Sequence, residues 1–174
     1  MLDRLRGFVS RGGGAERKTT YLGLRSMAFT IDPDTISFRP DSPVHGAWCA
    51  VMDFGLSSET ATLVAIGDGT VSMYTSSGGG VIGAGSHEAV WVAATRFLEA
   101  AAGAAPLMHA ASGVPPTPEP GHVRLSVRTF DRTLSEDVPE DAVQRGRHQL
   151  APFYAAGQDL LTEVRLTTQQ QQGG

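Results

Sequence analysis

The sequence predicts an α+β fold: an antiparallel sheet of about four strands, formed by a three-strand meander, a helix and a fourth strand, with helices packed mainly on one face. Three observations carry that prediction. Two β-branched runs, residues 60–66 and 70–75, flank Gly67, Asp68 and Gly69. An apolar stripe at helical spacing then runs from Val90 to Ala101, and residues 122–130 alternate apolar with polar. Sequential strands with segregated helices bury their apolar faces as a layered sandwich.

Taken in order, residues 1–19 form a flexible or amphipathic N-terminal tail. Leu2, Leu5, Phe8 and Val9 share one helical face with Arg4, Arg6 and Arg11 around it, a pattern suited to peripheral membrane contact. Ten residues alone are too few to hold a helix in water, so a frayed or packed tail is the plainer reading. A single domain is expected over residues 20–166. Tyr21, Leu24, Met27, Ala28 and Ile31 keep helical spacing, which predicts a helix over 20–30 stopped by Pro33. Residues 32–45 hold three prolines and read as an ordered connector that tucks Ile36 and Phe38 into the core.

The strand at 46–55 is apolar on both faces. Trp48, Ala50, Met52 and Phe54 lie on one side, Ala47, Cys49 and Val51 on the other. Such a strand needs two covers, and the second is either the N-terminal region or another copy of the chain. The Asp-Gly step between the next two strands predicts a hairpin with a type I′ turn, which needs positive φ at both central positions.

Residues 76–85 (SSGGGVIGAG) then contain five glycines. Ser86 stands at the expected N-cap and Glu88 in the first helical turn, where the helix dipole favours negative charge. Val90, Trp91, Ala94, Phe97, Leu98 and Ala101 form the helix's apolar stripe, and Gly103 ends it. Residues 109–121 are a proline-rich loop, 122–130 a half-exposed strand and 131–140 an acidic loop. Residues 141–166 are helical in pattern but divided by Pro152, with the better half at 151–165. Residues 167–174, ending QQQQGG, read as a disordered C-terminal tail.

Composition narrows the function classes. Of 174 residues 41% are apolar, enough for a core, and the net charge of −4 argues against nucleic acid as partner. Lys18 is the only lysine beside thirteen arginines, a bias typical of a GC-rich bacterial genome. Cys49 is the only cysteine, so no intrachain disulfide forms, and it reads as a small buried hydrophobe. No apolar run has the length of a signal peptide or a membrane span, so the expected location is cytoplasmic.

The loop from Gly78 to Gly85, running into a helix start, is the strongest candidate ligand site, with Gly80, Gly83, Gly85, Ser86 and His87 as its residues. Backbone N–H groups at such a place hold phosphate or carboxylate. It lacks the Lys-Ser/Thr ending of a Walker loop and the βαβ setting of a dinucleotide loop, and no Lys or Arg occurs between Met52 and Thr95. The plainer reading is a connector whose glycines permit close packing.

Asp53, Asp68, His87 and Glu88 are the available acid–base groups. Asp68 is accounted for by its turn, Glu88 by its helix end and Asp53 by capping a turn beside Gly55. No catalytic residue is assigned. The five histidines show no metal-ligand spacing, and neither metal nor cofactor is called for.

The hairpin and its small-residue loop (LVAIGDGTVSMYTSSGGG) resemble the central hairpin of roadblock or profilin-like domains, small α+β scaffolds used in dimerisation and regulation. The resemblance covers only part of the chain and carries over no residue roles. Two functions stand as expectations. The first is a protein-interaction or regulatory module that binds a protein partner or forms a homo-oligomer. The second is a binder of, or enzyme for, a small anionic ligand at the glycine-rich loop.

Overall fold

The structure, a computed structural model, describes residues 14–43 and 46–172. The tail residues Leu2, Leu5 and Phe8, expected as a membrane contact, lie outside the described residues, as does His45. The elements are α1 (Gly14–Thr30), β1 (Cys49–Gly55), β2 (Thr60–Ile66), β3 (Val71–Thr75), β4 (Gly80–Ile82), α2 (Glu88–Ala104), β5 (His109–Ala111), β6 (His122–Arg128), β7 (Thr133–Pro139), α3 (Glu140–Gln144) and α4 (Ala151–Gln172).

The expectation of about four strands is overturned. Among the described residues the sheet has seven, all antiparallel, in the order β4-β3-β2-β1-β6-β7-β5. The three missed strands sit at its margins, where strands are short or polar. β4 and β5 have three residues each, and β4 lies within the glycine-rich loop. β7 shows just Leu134 and Val138 to the core, while its other face is held by polar pairs across to β6. Arg124 Nη2 donates to Asp137 at 2.7 Å, and Ser126 and Ser135 share a hydrogen bond of 2.9 Å. A polar strand satisfied by its neighbour has no signature of its own.

β1 is central and buried at all seven positions. Ala50, Met52 and Phe54 face α2 and α4, where Phe97 and Phe153 stack with ring centroids 5.1 Å apart. Cys49 and Val51 face α1, packing with Tyr21, Ala28 and Phe29. The helices therefore cover both faces of the sheet, and the N-terminal region is the second cover. Trp48 falls on the α1 side, opposite to the simple alternation, because the chain bends there before the strand begins. Arg128 lies over its ring at 4.2 Å and donates to Ala28 O and Ile31 O, satisfying carbonyls at the C-terminal end of α1.

Local chemistry also departs from expectation. Ile66 N bonds Thr70 O and Gly69 N bonds Ile66 O, so the β2–β3 loop has three residues, with Gly69 alone at positive φ (93°). That geometry is a turn of negative φ followed by a left-handed glycine, and Asp68 avoids the strain a type I′ turn would impose on it. Ser86 lies in a 3₁₀ turn (Ala84–Ser86) and His87 takes the N-cap position of α2 without a side-chain cap bond. Gly103 is inside α2, α1 begins at Gly14 and α4 continues to Gln172. Among the described residues no helix is long and apolar enough to cross a membrane.

Candidate binding site

α1 is held across the sheet by a buried polar network. Arg25, 2% exposed, donates from Nε and Nη2 to the two carboxylate oxygens of Asp53 at 3.0 and 2.7 Å, and Asp53 is fully buried in β1. Thr62 Oγ1 donates to Asp53 at 2.6 Å and shares a 2.8 Å bond with the Tyr21 hydroxyl. The other guanidinium N–H groups reach Pro115 O at 2.6 Å and Pro116 O at 3.3 Å. Burial works against the Arg25 charge, but the hydrogen bond and charge of Asp53 outweigh it and keep its pKa above the ordinary value. A bidentate pair of this kind sets the height and angle of the helix over the sheet. Asp53 thus belongs to this lock and not to a turn cap, and the proline-rich loop is part of the same assembly.

Pinned there, α1 covers β1 and β2 but leaves a cleft over β3 and β4. Its walls are Tyr21, Leu24 and Met27 from the helix and Val64, Ile66, Tyr74 and Ile82 from the sheet. The cleft has two lobes of about 40 and 20 Å³, joined through Leu24, Tyr74 and Ile82. Such a space suits a single side chain, far below the several hundred Å³ of a cofactor pocket. Two hydroxyls in its lining, Ser72 Oγ and Tyr74 Oη, are buried and make no hydrogen bond among the described residues, although their residues are only 4% and 6% exposed. Unpaired hydroxyls in native interiors are uncommon and mark a place for water or a ligand group. Burial and the nearby Asp53 charge push the Tyr74 phenol well above its usual pKa, so it keeps its proton.

The sequence-derived residues divide around β4. Gly78, Gly79 and Gly80 line the mouth of the α1-side cleft, where the stem of Arg17 lies across Gly78. Gly80 is required by packing, since a Cβ there would stand 2.5 Å from Met73 O. Gly83, Ser86 and His87 border a second cleft of about 200 Å³ on the opposite face, closed by Val81, Ala84, Thr167 and Thr168. Gly85 is buried against the β2–β3 turn, where a Cβ would lie 2.0 Å from Gly69 O. The five residues therefore do not converge on one point.

Between the clefts runs β4, paired only with β3 among the described residues. Thr75 N donates to Gly79 O and Gly83 N to Val71 O. Antiparallel alternation then makes Met73–Val81 the bonded pair and turns the backbone N–H and C=O of Gly80 and Ile82 outward. Arg17, Ser72 and Tyr74 carry no signal in the sequence because they come from two distant segments, α1 and β3, and match no motif. A groove of about 360 Å³ between α2 and α4 contains no unpaired buried polar group among its described residues. No group of acidic, histidine or cysteine side chains among the described residues is placed to hold a metal.

No family model, curated protein or solved structure matches this chain.

Proposed function

We propose that the chain is a protein-interaction module that takes an extended segment of a partner onto the outer edge of β4. One observation supports this reading above others: a strand edge with no partner among the described residues lies between two clefts on opposite faces of the sheet. Strand addition draws affinity from backbone hydrogen bonds and specificity from pockets that receive alternate side chains. Here the residues facing Gly80 and Ile82 would enter the α1-side cleft, and the one facing Val81 would enter the cleft beside His87 and Thr167.

The test is to pan a displayed library of random heptapeptides against the full chain and against its Ile82→Pro variant. Proline removes an outward N–H without touching the Met73–Val81 bonds, so the fold tolerates it as edge strands do. The expected result is a set of alternating, β-branched peptides that bind the parent chain and lose binding to Ile82→Pro at unchanged melting temperature. Peptides that ignore Ile82→Pro but lose binding when the exposed Val92 is changed to Asp would place the interface between α2 and α4 and refute the assignment.

A further inference from the structure

The free groups of the α1-side cleft share one property, and it specifies the residue that the cleft receives. Thr20 Oγ1 already donates to Glu16 O, and Thr75 Oγ1 is engaged with Ser77 and with Gly79 N. Glu59, which reaches the same loop, is bound by the Ser77 hydroxyl. What remains is the Tyr74 phenol in the lining, the Ser72 hydroxyl beside it, and at the mouth the Arg17 guanidinium, which has no carboxylate partner among the described residues. Arginine only donates, and a phenol or serine hydroxyl in an apolar wall donates most strongly to a charged acceptor. The cleft therefore presents donors, and its complement is an anion small enough for a lobe of about 40 Å³.

The edge geometry says where that anion sits. A residue opposite Gly80 on an added strand points to the α1 face, as cross-strand partners do, and meets no side chain from Gly80 itself. It stands between Tyr74, the cross-strand neighbour of Gly80, and the Arg17 stem laid over Gly78. We infer that the captured segment carries a glutamate or aspartate opposite Gly80, whose carboxylate accepts from Tyr74 Oη and pairs with Arg17, and a β-branched residue two positions away opposite Ile82. This inference rests on strand addition at β4 and adds the chemistry of the partner.

The test uses fluorescence anisotropy on the full chain. The probes are labelled nonapeptides of alternating valine and threonine with a central glutamate or its isostere glutamine, flanked by glycine and serine. The glutamate peptide should bind about tenfold tighter, as a charge-assisted bond to arginine and phenol implies. That preference should fall to about twofold or less in Arg17→Gln and in Tyr74→Phe, and persist in Lys18→Gln, a control for charge on the same helix. Tyr74→Phe removes an unpaired buried hydroxyl, so its melting temperature should hold or rise, which separates lost recognition from lost folding.

Equal binding of both peptides, or a preference that survives Arg17→Gln, overturns the acidic residue. If the peptides still respond to Ile82→Pro in that case, the interaction reading stands without it. Failure of every peptide to bind overturns both. Displacement of the glutamate peptide by sodium octanoate, with octanoate binding unaffected by Ile82→Pro, would assign the cleft to a free carboxylate and refute the peptide.

Discussion

Removing one partner of the Arg25–Asp53 pair should be among the most damaging single changes in the chain. Their side chains are 3% and 0% exposed, and they exchange two hydrogen bonds of 2.7 and 3.0 Å. In Arg25→Met the stem is replaced by a chain of similar volume, but Asp53 keeps only the Thr62 hydroxyl, and the Pro115 and Pro116 carbonyls lose their donor. Stranding a buried charge in this way costs about 3–5 kcal/mol. With a urea dependence of about 2 kcal/mol per molar, the unfolding midpoint should fall by about 1.5–2.5 M.

The double variant Arg25→Met/Asp53→Val should recover much of that loss, because no charge is then left without a partner, and the coupling should be about 2 kcal/mol or more. Equilibrium unfolding followed by circular dichroism and tryptophan fluorescence reads both quantities. A midpoint shift under about 0.5 M in Arg25→Met, or strict additivity in the double variant, would refute the claim that this pair locks α1 to the sheet.

Two further outcomes follow from packing and burial. Gly85→Ala should destabilise the chain by about 1–3 kcal/mol through overpacking, because the added methyl meets the Gly69 carbonyl, a backbone atom that cannot swing aside. Thermal unfolding against a Gly103→Ala control, a helical site with open space around it, checks that magnitude. All three tyrosines should resist ionisation: burial, aided by Asp53, raises Tyr21 to about 12, and burial with the Glu140 hydrogen bond raises Tyr154 to about 12, while Tyr74 lies higher than its usual value. A raised phenol pKa adds stability that is complete below the unfolded value of 10.0 and is lost as pH climbs toward 12. Ultraviolet titration should therefore show phenolate appearing together with unfolding above pH 10, and ordinary titration of a folded chain near pH 10 would contradict the burial of these rings.

How much was legible depended on whether a signal was local. The β2–β3 hairpin, the strand at β6 and the stripes of α2 and α4 follow from periodicity, which needs only a residue and its near neighbours. Even there the turn type eluded pattern reading, since Gly-Asp-Gly fits either a two- or a three-residue loop, and hydrogen bonding between flanking strands decides which. The two-sided apolarity of β1 announced a second cover without saying that α1 supplies it. β7 had no signature because its polar face is satisfied by Arg124 and Ser126 from another strand.

The amino-acid order alone thus determined an α+β chain with a meander and a helix after a glycine-rich loop. Tertiary structure alone decided that the sheet has seven strands, that Arg25 answers Asp53 from 28 residues away, and that Arg17 is laid over Gly78. The physical reason is the same in each case. Backbone periodicity is set by bonds between near neighbours, whereas a buried charge, an edge strand or a cleft acquires its partners only when distant segments are packed together.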